Sequence, residues 1–286
     1  MIKLSTEQRE AIQAGQARRE RLVKEAKRGA KRATNLDRKV YLDTLISGAP
    51  GVGKSEHVKR QLSNYNVPFI ELTGNTSLFG LMGQLILLHH NKPKGQRMVI
   101  VLDDCDFMFE AKNVNMLKHM TNTKIEERTF EYSKKISAGN FTESVKDLLP
   151  LYYNEDEGKL TIPCDEFVFM ITSNIILPDE ISIKDMTGAK KQRAQHLLAI
   201  RSRMNPLDIE LNKSEKWGWL YDAGINDNAL YMLDNEEDKI YLLDWVWQNW
   251  NNMKETSVRT IQKMGFEIID EPEDYKDNWE LDYLKY

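Results

Sequence analysis

Cysteine is nearly absent: two occur in 286 residues, Cys105 and Cys164. They are far apart and have neither a CxxC partner nor a histidine at metal-ligand spacing. That argues against a zinc site and a disulfide framework, and reads as two small apolar core residues in a reducing compartment. Long hydrophobic runs are missing too. No stretch approaches the roughly 18 apolar residues of a membrane-spanning helix, and the opening MIKLSTEQRE has no apolar signal-peptide core. The expected chain stays inside the cell, with no membrane partner. Neither a repeat of solenoid period nor a long low-complexity tract occurs, which speaks against stacked-repeat architectures.

Hydrophobic residues make up 41% of the chain, enough for a sizeable core, and the length suits one large domain with a smaller one. Net charge is only −4 but unevenly spread. Residues 1–40 carry 12 Lys/Arg against 5 Asp/Glu, and the 22 residues from Gly265 carry eight acids and two bases. The balance predicts a basic arm and an acidic tail.

Ser5 and Gln8 fit a capping box, with Thr6 as a competing cap, ahead of a helix running to about Thr34. VYLDTLISG (40–48), VPFIEL (67–72), MVIVLD (98–103), EFVFMITSN (166–174) and PLDIEL (206–211) predict five strands, and MVIVLD is apolar enough for a central parallel position. Helical stretches alternate with them. The expected fold class is therefore α/β, a parallel sheet sandwiched by helices. Beyond Asn212 the pattern is helical, most clearly in KIYLLDWVWQNW and SVRTIQKM.

The chemistry enters at GAPGVGKS. Gly48, Gly51, Gly53, Lys54 and Ser55 match GxxxxGK[ST] between a predicted strand and a predicted helix, with Pro50 and Val52 inside the loop and Glu56 just after it. Glycines there let successive backbone N–H groups turn inward around a β-phosphate, and the helix N-terminus adds favourable partial charge. Lys54 is positioned for the β- and γ-phosphates and Ser55 for Mg²⁺. The strand MVIVLD ends in a carboxylate, Asp103, the expected Mg²⁺ partner, and Asp104 follows as the candidate that polarises the attacking water. Aspartate is shorter than glutamate by roughly 1.5 Å, about one C–C bond, so slow hydrolysis, or help from a group such as Asp106, is expected. A pair of aspartates capping the next helix is the plainer alternative.

Three later features extend the pattern. FVFMITSN ends in Asn174, AIRSRM carries Arg201 and Arg203 at a helix end before a strand, and SVRTIQKM carries Arg259 on a late helix. In that order after the two nucleotide motifs, they resemble sensor 1, the arginine finger and sensor 2 of AAA+ ATPases, over roughly residues 40–265. The arrangement is similar to the compact stand-alone AAA+ ATPases often encoded by tailed phages. The resemblance implies ATP and Mg²⁺ as cofactors, Asn174 touching the attacking water or γ-phosphate, Arg203 reaching into a neighbouring subunit, and Arg259 sensing nucleotide from a lid. It also implies a ring or spiral of identical chains, most often six, in the cytoplasm (the host's, for a viral chain). Arg203 fills the SR position better than Arg201, with the alternate face left open. Each residue also has a plain alternative: Asn174 as a cap, either arginine as a solvated helix end, Arg259 paired with nearby acids.

The implied organisation is a basic helical segment at 1–38, an AAA+ nucleotide-binding core at 39–211 with an insertion near 121–165, a helical lid at 212–265 and an acidic tail at 266–286. Leu78, Phe79 and Gly80 fit the aromatic–glycine pair by which such rings grip a threaded chain, but the same residues at helical spacing also fit the packed start of a helix. Arg21, Lys24, Arg28 and Lys31 share one face of the first helix, and Leu22, Ala26, Ala30 and Ala33 another. The basic face fits DNA phosphates or, equally, a solvated helix packed on its own domain. The expected function is an oligomeric AAA+ ATPase that remodels or translocates a protein or nucleic-acid complex, and the alternative is a nucleotide-dependent DNA replication loader or switch.

Overall fold

The structure is a computed structural model that describes residues 4–38, 40–74, 76–92, 97–111 and 113–285. The chain divides into two compact units. The larger comprises Lys24–Gly48 and Ser55–Asp208, the smaller Met1–Val23, Ala49–Lys54 and Ile209–Tyr286. The first helix, α1 (Thr6–Thr34), contributes to both. The basic segment 1–38 is therefore shared between the units rather than forming one of its own. Its start is the expected capping box: the Ser5 N–H donates to Gln8 Oε1 at 2.8 Å and the Gln8 N–H to Ser5 Oγ at 3.1 Å.

In the larger unit, β1 (Thr44–Gly48), α2 (Lys54–Asn64), β2 (Phe69–Thr73), α3 (Leu78–Asn91) and β3 (Met98–Asp103) alternate. Next come α4 (Val114–Met120), β4 (Thr129–Tyr132), α5 (Glu143–Lys146), β5 (Tyr153–Asn154), β6 (Lys159–Pro163) and β7 (Phe167–Ser173). The unit ends with α6 (Glu180–Ile183), α7 (Gly188–Arg201) and β8 (Asn205–Ile209). Five strands form one parallel sheet flanked by helices, in the order β2-β3-β7-β1-β8. All seven residues of β7 are buried, and only the ends of β3 are partly open, the apolar signature of central parallel strands. The five strands fall where the sequence predicts them, but β1 starts later. Tyr41 has φ 50°, a left-handed conformation that a bulky residue adopts rarely and that stops extended pairing.

The interval 121–165 contains a second sheet, antiparallel, in the order β4-β6-β5. Phe130 stands opposite Ile162, and Leu160 and Ile162 alternate inward along β6, so one face of the sheet joins the core beneath it. Beneath the parallel sheet, Arg128 and Asp43 form an ion pair with no solvent exposure on either side chain. The carboxyl terminus of α1 is closed by the Arg97 guanidinium, which donates to the carbonyls of Asn35 at 2.5 Å, Arg38 at 2.6 Å and Leu36 at 3.2 Å. A cation at this end satisfies orphan carbonyls and suits the helix dipole.

The smaller unit packs the first half of α1 with α8 (Lys213–Ile225), α9 (Glu236–Asn249), α10 (Val258–Asp270) and α11 (Tyr275–Tyr283). Helices α1 and α8 cross where neither has a side chain. A Cβ on Gly218 would lie 1.7 Å from the Ala11 carbonyl oxygen, and one on Gly15 2.2 Å from the Trp219 nitrogen. Around this crossing, Trp217 donates its indole N–H to the Leu243 carbonyl at 2.8 Å, Gln8 reaches Asp244 at 2.7 Å, and Arg19 pairs with Asp222 and Asp227. The acidic tail is folded: Trp279 is wholly buried and stacks among Tyr241, Trp245 and Tyr275. Among the described residues no helix is long and apolar enough to cross a membrane.

Candidate functional site

The larger unit gathers its polar residues at the carboxyl ends of three adjacent strands. Strand β7 lies between β3 and β1, with Asp103 opposite Thr172 and Ser47 opposite Ser173. Gly48, Asp103 and Ser173 thus end neighbouring strands, and Asn174, exposed, follows directly. Asp103 Oδ1 accepts hydrogen bonds from the hydroxyls of Ser55 and Thr172. Two hydroxyls on one carboxylate oxygen form a compact, oxygen-rich cluster. A hard divalent cation prefers such donors, and a nucleotide's Mg²⁺ needs few of them from protein because it keeps phosphate and water ligands. Among the described residues there is no group of three His, Cys, Asp or Glu that could hold a metal ion. Thr172 is the member of this cluster that sequence reasoning missed. Its signal was the Thr–Ser pair inside an otherwise apolar strand, where a buried hydroxyl needs a partner.

Asp104 has φ 51° and is exposed, with its N–H bonded to the Thr172 carbonyl at 3.1 Å. The left-handed turn directs the chain out of the sheet immediately after Asp103. Aspartate tolerates this conformation better than most side chains. The side chain of Asp106, the proposed helper, lies outside the described part of the molecule.

In the smaller unit, the loop between β1 and α2 is the candidate phosphate cradle. Gly51 and Gly53 have φ 75° and 76°, and Val52 is buried whereas Pro50 and Glu56 are exposed. Lys54 is only 5% exposed, and its ammonium donates to the Ala49 carbonyl at 3.0 Å. Burying an ammonium ion is costly unless polar groups such as this carbonyl compensate it. The start of α10 rests on this loop. The Val258 N–H donates to the Gly51 carbonyl at 3.2 Å, and Ser257 caps the helix by accepting from the Thr260 N–H at 3.1 Å. Arg259, exposed, is the second residue of that helix.

A Cβ on Gly51 would lie 2.6 Å from Ser257 Cβ. Gly51→Ala is therefore expected to cost at least about 1–2 kcal/mol from its left-handed backbone alone, and to weaken nucleotide binding with it. Urea unfolding beside nucleotide titration checks this, and an alanine variant of wild-type stability would contradict it.

The two arginines of AIRSRM differ sharply. Arg201 forks onto Asp208, with Nη1 3.0 Å from Oδ1 and Nη2 2.5 Å from Oδ2, and also reaches the Leu177 carbonyl at 3.2 Å. Its pKa is raised by the bond to Asp208. Arg203 is half-buried and donates to the Ala199 carbonyl, and it has no carboxylate partner among the described residues. Lys118 has a lowered pKa, through burial and then through the Arg203 charge.

Leu78, Phe79 and Gly80 lie in the first turn of α3. Ser77 caps that helix by accepting from the Gly80 N–H at 3.0 Å. The Phe79 ring packs edge-on against Phe141 at 5.7 Å and Tyr132 at 6.1 Å. The 121–165 insertion thus packs against the ring, which is partly buried, as in the packed helix start that the sequence also allows. A cleft of about 740 Å³ opens beside this turn, lined by Ser77, Leu78, Phe107, Glu110 and Tyr132 among others. It includes no residue of the phosphate loop.

No protein-family model matches the chain, and no curated protein is similar to it.

Proposed function

We propose that the chain is a Mg²⁺-dependent ATP hydrolase of the AAA+ type, acting as an oligomer that remodels or translocates a macromolecular complex. The observation that carries the reading is the Asp103 carboxylate bonded by Ser55 and Thr172, with Ser55 next in sequence to the buried Lys54 of the glycine loop. The loop N–H groups and the Lys54 ammonium hold the phosphates. Ser55 and Asp103 would hold the cation, and Thr172 fixes the carboxylate's orientation. Mg²⁺ bound there would neutralise charge that develops on the phosphates. Asp104 and Asn174, at the ends of adjacent strands, orient the attacking water, and Asp104 accepts its proton. Arg259 follows the cap that rests on the loop, so the lid helix and the phosphates share one support.

Arg203 has the character of a finger supplied to a neighbour, because Arg201 is committed to Asp208 within its own chain. A guanidinium suits the task by staying charged and forking onto two oxygens. A second reading, a nucleotide-dependent loader or switch with slow turnover, is favoured by the short Asp104 side chain. Steady-state ATP hydrolysis against protein concentration, with Lys54→Ala as blank, tests both. Specific activity rising with concentration is expected for a shared site. Turnover independent of concentration across the range where the oligomer dissociates overturns the shared site, and no turnover with intact binding selects the switch.

A further inference from the structure

We propose that the exposed ridge of α1 formed by Lys24, Lys27, Arg28 and Lys31 binds the phosphate backbone of duplex DNA without reading its sequence. The proposal adds a partner to the ATPase reading but does not depend on it. The helix sorts its charges. Leu22, Ala26, Ala30 and Ala33 are buried, as their spacing predicts. Arg32, also buried, pairs with Glu25 at 2.6 Å and donates to the Thr44 hydroxyl at 2.6 Å. The four ridge residues are exposed. At 100° per residue they fall within an arc of about 100° opposite the apolar face, over a rise of about 10 Å.

Within that arc no acid lies between Lys24 and Lys31. Glu25, on the flank, is held by Arg32 and approaches Arg28 only at 3.6 Å. Lys24 and Lys27 make no ion pair among the described residues, and Lys31 lies 5.9 Å above the Tyr65 ring. Apart from the Glu25 contact of Arg28, the ridge leaves its charges to water and counterions, and a polyanion that binds there releases its own condensed counterions. Duplex DNA offers about one charge per 1.7 Å of axis, so a ridge of this length faces about six phosphates. The Tyr65 ring lies beneath Lys31 rather than open for stacking, which favours a duplex backbone over stacked single strands. Three of the four cations are lysines, point charges that hold phosphate without a fixed fork, so little sequence preference is expected.

The test uses the full chain and a fluorescein-labelled random-sequence 30-base-pair duplex, followed by anisotropy from 50 to 200 mM NaCl. A slope of log K against log salt of about −3 to −4 is expected, for about four phosphate contacts. Each single alanine substitution at Lys24, Lys27, Arg28 or Lys31 should flatten the slope by about 1. The combined variant should bind at least about tenfold more weakly at 50 mM salt. The control removes the same charge elsewhere, with Lys184, Lys190, Lys191 and Arg193 all changed to alanine, and should bind like wild type.

Equal losses in ridge and control variants would reduce the effect to net charge and overturn the proposal. So would tighter binding to a 30-nucleotide single strand, or an unaltered slope. Intact DNA binding with loss of self-association in the ridge variant would assign the face to a second copy of the chain instead. Repeating the titration in Lys54→Ala keeps this outcome separate from that of the ATPase reading, and the single variants serve if the combined one fails to fold.

Discussion

Arg128→Ala will destabilise the chain by about 3–5 kcal/mol, the cost of stranding a buried charge. Arg128 meets Asp43 through two contacts, at 2.7 and 3.3 Å, and also donates to the carbonyls of Asn122 at 2.7 Å and Phe167 at 3.3 Å. Asp43 Oδ1 accepts from the Phe169 N–H at 2.8 Å as well. The pair thus ties the residues just before β1 and β4 to the start of β7. Burial pushes the Asp43 carboxyl up and the Arg128 charge pulls it back. Without arginine, the carboxyl of the folded state titrates well above its unfolded value. The variant is then most stable below the unfolded pKa and loses stability as pH rises through the folded one. Urea midpoints at pH 5 and pH 7 check this, with a smaller deficit expected at pH 5. The paired change Arg128→Met with Asp43→Asn removes both charges and should recover part of the loss. A deficit under about 1 kcal/mol at pH 7 would show that the pair contributes little.

The second large effect concerns Arg203. Arg203→Ala should lower ATP turnover by about 10³-fold or more if its guanidinium completes a neighbour's site. The loss should come with little change in stability, because the side chain bonds one helix-end carbonyl, that of Ala199. Lys54→Ala should be equally inactive. An equimolar mixture should then regain turnover. With random assembly, about a quarter of sites combine an intact Lys54 with a neighbour's intact Arg203, so about a quarter of wild-type activity is expected. A mixture as inactive as its components would place the arginine's action within its own chain, or nowhere in catalysis.

Much of this arrangement was legible in the sequence because it depends on local pattern. The glycine loop is a contiguous motif, and MVIVLD and FVFMITSN are apolar runs whose polar ends mark the sheet's carboxyl edge. The capping box of Ser5 and Gln8 is likewise a matter of three-residue spacing. What escaped was set by contacts distant in sequence. Thr172 matters because β7 inserts between β1 and β3, an order no single segment encodes. Phe79 fits either a gripping tip or a packed helix start by its spacing, and the contacts of Tyr132 and Phe141, over fifty residues away, are not visible in the local pattern. Arg201 and Arg203 are near twins in sequence, and only Asp208 separates their roles. The tail reads only as acidic by composition, and the burial of Trp279 against Tyr241 and Trp245 of α9 depends on residues over thirty positions away.

The smaller unit is assembled from three separated stretches of chain, and this orders events during synthesis. Gln8 bonds Asp244 across 236 residues, and Arg19 bonds Asp222 across 203. At about 5–20 residues per second, the amino-terminal half of α1 leaves the ribosome roughly 10–50 s before its partners are made. Throughout that wait its apolar stripe, including Ala11 and Ile12, is uncovered, while the half beyond Lys24 can already settle on the sheet. The newborn chain therefore carries a tethered, half-docked helix, and the glycine loop lacks its helical support until α10 is translated.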